Sequence, residues 1–138
     1  MSVILIGIVP DNPGGACPAV FRAEEPGGGY YFQGKTVESG GGLEHEALVW
    51  LPVSMTTIIR DACRVHPVPA DGGTERGAIV RAFDPWDGFY VRGSVVSDPA
   101  LLAKIAAESP ILDDELVVWL PEDATAEIME ACDARGVV

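Results

Sequence analysis

Two alternating patterns of apolar and polar positions recur along the chain. Residues 19–24 and 30–37 are rich in aromatic and β-branched side chains and flank Glu25-Pro26-Gly27-Gly28-Gly29, the composition of two strands joined by a turn. The same arrangement returns at residues 78–83 and 89–96, around Asp84-Pro85-Trp86-Asp87-Gly88. Gly29 and Gly88 stand where such a turn re-enters its strand and a positive φ is often needed. A third apolar run follows each pair, at 46–51 and 115–120. Each ends on a proline, Pro52 or Pro121, which lacks the N–H that would continue a ladder. Beyond the prolines the spacing becomes helical. Met55, Ile58, Ile59, Ala62 and Cys63 form one apolar stripe behind a capping Ser54. Ala124, Ile128, Ala131 and Cys132 do the same behind Asp123, with Gly136 as the stop. One further helix is expected in the second half only. Asp98 caps it, Pro99 suits its first position, Leu101, Leu102, Ile105 and Ala106 line a face, and Ser109-Pro110 ends it. In the first half that interval holds Gly40-Gly41-Gly42.

The recurrence extends to residue identity. Residues 9–37 align without gaps on 68–96 at an offset of 59, with 11 identities in 29 columns, among them Arg22/Arg81, Gly29/Gly88 and Tyr31/Tyr90. Residues 46–63 align on 115–132 at an offset of 69, with 9 identities in 18 columns, including Val-Trp-Leu-Pro and the cysteine that follows it. The ten-residue change of offset, 69 − 59, falls between Val96 and Glu115, where the extra helix is expected. The sequence therefore reads as a tandem duplication, copy 1 about 9–63 and copy 2 about 68–132, a period that calls for stacked units. Only residues 64–67 separate the copies, too few for two freely swinging domains.

These patterns predict an α+β fold: tandem β-β-(α)-β-α repeats packed as one pseudo-twofold domain over 1–138, with mostly antiparallel sheet. The unrepeated apolar run 3–9 is an extra N-terminal strand at one sheet edge. It lacks the basic flank and cleavage site of a signal peptide and meets Pro10-Asp11-Asn12-Pro13. The expected core includes Phe21, Tyr31, Val49, Leu51, Ile59, Val80, Tyr90, Val118, Leu120 and Ile128.

Composition narrows the classes of function. The chain has 138 residues, 48% of them hydrophobic, and carries 21 acidic against 9 basic side chains, a formal charge of -12. That length supports a core without disulfides or metal. The acidity argues against direct binding to nucleic acid, which needs clustered Lys and Arg, and against anionic membrane surfaces. No run reaches the ~18 apolar residues of a membrane span. Three cysteines, Cys17, Cys63 and Cys132, form no disulfide framework, and a cytoplasmic protein is expected.

No catalytic constellation can be assembled from spacing. Cys63 and Cys132 share an inward helical position, as small buried hydrophobes do. Cys63 and His66 give two of the four ligands a structural zinc needs, with only Cys17 or His45 to complete the set, so no metal site is expected and no cofactor. The glycine runs lack the strand-to-helix setting of a phosphate loop.

Two candidate binding surfaces remain. Arg22 and Arg81, Tyr31 and Tyr90, and Trp50 and Trp119 recur in register, so a twofold cleft could offer two guanidinium groups and paired aromatic faces to a small ligand. The plainer alternative is that the arginines pair with local carboxylates such as Glu24 or Asp84. The second surface is acidic. Residues 1–72 carry 4 basic and 8 acidic side chains, a net of -4, and residues 73–138 carry 5 and 13, a net of -8. Asp113, Asp114, Glu122, Asp123, Glu127 and Glu130 belong to a stretch without a single base, and Trp86 sits at a turn where nothing in its own copy obviously buries it.

The strings Cys17-Pro18-Ala19-Val20-Phe21-Arg22, Tyr30-Tyr31-Phe32-Gln33-Gly34, Phe89-Tyr90-Val91-Arg92-Gly93 and Val96-Ser97-Asp98-Pro99 resemble a pattern in small uncharacterised actinobacterial proteins. Those proteins are often encoded beside helix-turn-helix regulators. The resemblance implies a basic DNA-binding regulator as partner and carries over no catalytic residue. The leading expectation is a non-enzymatic regulatory or adaptor protein that binds a protein partner through the acidic second repeat. A small-molecule binder or enzyme using the twofold cleft is the alternative, and a DNA mimic a weaker one. The oligomeric state is not readable from the sequence.

Overall fold

A computed structural model describes residues 3–8, 18–24, 28–37, 46–65, 79–82, 87–111 and 115–133. In chain order the elements are β1 (Val3–Ile8), β2 (Ala19–Ala23), β3 (Tyr30–Thr36), β4 (Glu46–Pro52), α1 (Thr56–Val65), β5 (Ile79–Ala82), β6 (Gly88–Val95), α2 (Pro99–Glu108), β7 (Glu115–Leu120) and α3 (Thr125–Asp133). Every described ladder is antiparallel, and the fold is α+β. No described helix is long and apolar enough to cross a membrane.

The third strand of each half lies beside the second strand of the other. β7 pairs β3 with Tyr30 opposite Leu120 and Lys35 opposite Glu115. β4 pairs β6 with Phe89 opposite Leu51 and Ser94 opposite Glu46. At offsets of 59 and 69 these are the same aligned columns. The correspondence continues where β3 meets β4, through Lys35/Trp50, and where β6 meets β7, through Ser94/Trp119. The four strands β3, β4, β6 and β7 thus close a ring of pairings, with β2 and β1 extending from β3 and β5 extending from β6. Each third strand therefore bridges the two hairpins, pairing briefly with its own and over most of its length with the other.

β1 pairs β2 and so takes the first half's outer edge, with Leu5 opposite Phe21 and a bulge before Gly7, which stands opposite Val20. Helices α1 and α3 cover one side of the sheet over Val20, Tyr30, Phe32, Leu51, Phe89 and Val118. On the other side α2 places Leu101 and Ile105 over Ala19, Phe21, Ala23 and Tyr31. That helix is capped as its sequence predicts, Asp98 Oδ1 accepting from the Ala100 amide at 3.1 Å.

Three expectations are corrected. Ser54 and Asp123 do not precede their helices. Each lies inside a single 3-10 turn, Val53–Met55 or Glu122–Ala124, that starts after the proline, and Thr56 and Thr125 return their hydroxyls to the carbonyls of Val53 and Glu122. A proline leaving the strand at φ near -68° already aims the chain into that turn, so no side-chain cap is required. Gly29 has φ +91°, but Gly88 is not in the left-handed region. It is glycine because a Cβ would collide with the Leu51 carbonyl and the Trp50 indole. Val80, expected in the core, is 47% exposed, although its aligned partner Phe21 is fully buried. Phe21 lies beneath α2 and beside β1, and among the described residues no element takes either place over Val80.

Candidate functional site

Arg22 is the largest fully buried side chain of the described residues. A guanidinium out of water needs its charge and its donors matched. Its Nη2 meets Glu122 Oε2 at 2.6 Å, and Nη1 donates to Glu122 Oε1 at 2.8 Å and to the Gly29 carbonyl at 3.1 Å. The Gly29 amide donates to the same Glu122 Oε1 at 3.0 Å, and the Tyr30 ring lies 4.0 Å from the guanidinium carbon. One carboxylate from the turn before α3 therefore ties down both the arginine of β2 and the glycine that ends its hairpin. The Tyr30 hydroxyl continues the cluster to the Thr125 hydroxyl and the Cys63 thiol. Burial, reinforced by the neighbouring thiol, pushes the Tyr30 phenol well above its ordinary value, and burial also pushes the Cys63 thiol up. Both groups are thus held protonated, the reverse of an activated nucleophile.

The aligned corner of the second half is built differently. Arg81 donates to the Gly88 carbonyl at 3.2 Å, as Arg22 does to Gly29. Its carboxylate, however, is Asp87 at 2.6 Å, whose side chain is 56% exposed. The column of Glu122 holds Val53, and the column of Tyr30 holds Phe89, 5.6 Å from the Arg81 guanidinium carbon. Arg81 thus pairs with a carboxylate of its own hairpin, and Asp84 lies outside the described residues. The cysteines also separate. Cys132 Sγ lies 4.0 Å from the Thr56 carbonyl in the first turn of α1, whereas Cys63 joins Tyr30 at the first turn of α3, so the thiols occupy opposite ends of the helix pair.

The sequence-predicted residues are distributed as follows. Arg22 and Arg81 stand on β2 and β5, each in its own ion pair. Trp119 faces Tyr31 across the β3/β7 ladder, and Trp50 faces Tyr90 across β4/β6. The Trp119 indole donates to the Gly28 carbonyl at 2.8 Å, packing over Gly29. Beside this pair an open groove of 510 Å³ runs to the start of α2, past Ser94, Val96, Asp98 and Leu101. Of the acidic set, Glu122 is committed to Arg22, Glu130 is exposed on α3, and Glu127 is half-buried on the same helix with Oε2 3.4 Å from the Ile79 amide. Glu127 Oε1 is buried with no hydrogen-bond partner among the described residues. Trp86, Asp113 and Asp114 lie outside the described residues, as does the Asp123 side chain.

Sequence reasoning did not single out Tyr30 or Thr125; it placed Cys63 in the core, where it lies, and Val80 there too, where it does not. The signal lay in the columns that differ between the halves, Val53/Glu122, Tyr30/Phe89 and Ile58/Glu127, because identities mark the shared scaffold and differences mark where the halves do separate things. Among the described residues no three His, Cys, Asp or Glu side chains converge as metal ligands. Compared with protein-family models, with curated proteins and with solved structures, the chain matches none of them.

Proposed function

We propose that the protein is a non-enzymatic binding module whose two halves, related by a pseudo-twofold axis, have divided their roles. The first half has its outer strand covered, by β1 at the edge and α2 over Phe21, and the second presents its acidic α3 and β5 flank to a basic protein partner in the cytoplasm. The observation that carries this reading is Val80, 47% exposed in the column where Phe21 is fully buried, on the sheet face away from α3, whose acidic Glu127 and Glu130 stand on the other face of the same strand. A partner that wraps the β5 edge meets an open apolar residue on one face and carboxylates on the other, which suits one that brings both apolar contact and positive charge. The buried thiol and phenol, both held protonated, favour binding over covalent chemistry.

The test is co-purification of the full chain from its own cells at low and at physiological salt. A partner of high isoelectric point should be retained in stoichiometric amount, released by salt, and lost with the double variant Glu127→Lys, Glu130→Lys. Retention by that variant would overturn the reading. The groove beside Tyr31 and Trp119 supports a second reading, a small planar ligand. Its check is a saturable change in Trp119 fluorescence in a Trp50→Phe, Trp86→Phe background.

A further inference from the structure

The outer edges of β2 and β5 occupy aligned positions and have opposite fates. In β2 the Ala23 amide donates inward to Gly29, so alternation along the strand turns Val20 and Arg22 outward, toward β1. In β5 the aligned outward residues are Ile79 and Arg81. Among the described residues β5 pairs only with β6, and the Ile79 amide reaches Glu127 Oε2 at a long 3.4 Å. We propose that this edge of β5 is a strand-addition site for an extended segment of a partner protein in which apolar and basic residues alternate. The proposal rests on the binding-module reading and specifies how the partner is held.

The first half supplies the template. β1 runs antiparallel to β2, with Leu5 opposite Phe21 and Gly7 opposite Val20. Gly7 lies against Ile58 of α1, where an added Cβ would come within 3.0 Å of the isoleucine side chain. Transferred to the second half, the guest residue opposite Val80 completes an apolar pair, as Leu5 does with Phe21. The guest residue opposite Ile79 lies against the column of Ile58, which is now Glu127. Glu127 there has one oxygen on a long bond to the strand amide and the other buried with no hydrogen-bond partner among the described residues. A guest carbonyl is the better acceptor for the Ile79 amide, and a guest Lys or Arg satisfies the carboxylate it releases. Until then Glu127 blocks the edge against strands that bring no positive charge, a form of edge protection. A second copy of this chain, at -12, carries the wrong sign for the role.

The probe is a synthetic octapeptide, Thr-Lys-Val-Lys-Val-Lys-Val-Thr with blocked ends, titrated into the isotopically labelled full chain. Saturable binding should shift the Ile79 and Arg81 amides first. It should weaken at least tenfold in Glu127→Gln, a nearly isosteric change, and disappear when alternate peptide amides are N-methylated or each lysine is replaced by glutamate. Equal binding of the N-methylated peptide, unchanged affinity in Glu127→Gln, shifts confined to other strands, or no binding at millimolar peptide would each overturn strand addition. So would sedimentation showing that Glu127-dependent association joins two copies of this chain. If the co-purifying partner is kept by Glu127→Gln and lost only on replacing other acidic residues, the binding-module reading stands and the β5 edge is not its site.

Discussion

Arg22 and Arg81 begin from the same local instruction, an arginine seven residues before a turn glycine whose carbonyl it holds. Their second partners separate them. Arg22 is enclosed and takes Glu122 from 100 residues away, while Arg81 takes Asp87 from the rim of its own hairpin. One column explains the difference. Glu122 occupies the position where the other half has Val53, so only one corner has a carboxylate rising from the turn before its helix. A fully enclosed ion pair strongly penalises loss of either partner, whereas a pair whose carboxylate is half exposed leaves water to replace part of what is lost. The first corner is thus a lock between the halves, and the second is a surface feature with spare apolar and acidic groups nearby.

The comparison can be broken most forcefully at the locks. Glu122→Ala strands a buried guanidinium and is expected to cost about 3–5 kcal/mol in urea unfolding. Asp87→Ala, which removes a half-exposed carboxylate from the largely buried Arg81, should cost less, about 1–3 kcal/mol. Equal losses would mean that the two corners are energetically alike. Phe21→Ala should cost about 3–5 kcal/mol by opening a cavity beneath α2, against about 0.5 kcal/mol or less for Val80→Ala, measured the same way.

Smaller effects sharpen the contrast. Gly29→Ala and Gly88→Ala both force a Cβ into an indole and a strand carbonyl. Gly29→Ala should be the worse by about 1–2 kcal/mol, because only Gly29 has a positive φ. Tyr30→Phe copies Phe89 into the first corner and removes one buried hydroxyl contact, for about 1 kcal/mol. The same variant tests alkaline stability. The folded state holds the Tyr30 phenol above its ordinary value of 10.0 and the Cys63 thiol above 9.0, so folding binds these protons more tightly than the open chain does. Their contribution is complete below pH 9 and is lost as pH rises through the raised folded values. Melting temperature should therefore fall from about pH 9 upward, and less steeply in Tyr30→Phe.

Much of this arrangement was legible in the residues. The strand triplets, the helix stripes and the capped α2 follow from period and composition, because each is decided within about ten residues. The aligned columns also named Arg22, Trp119 and Tyr31. What eluded them was pairing. Nothing in 46–51 says that it will lie beside 88–94 and not solely along its own hairpin, since strand partners are chosen by which edges the whole fold leaves open. Val80 failed for the same reason. An apolar residue in a strand says which face it belongs to, but only the location of β1 and α2 decides whether that face is covered.

The long-range ladder between β3 and β7 also sets a schedule for synthesis. Tyr30 cannot meet Leu120 until 90 further residues have been made. At ordinary elongation rates that is on the order of ten seconds, during which β2 and β3 emerge without the strand that will flank them. Neither half can complete its sheet early, so folding must be largely post-translational and governed by long-range pairing, a slow route. In that interval the apolar run of β1, Val3–Ile8, has the emerging β2 as its partner, because that ladder is the first whose two strands are both complete. β1 and β2 thus form the one ladder at that end of the described sheet that needs nothing synthesised later.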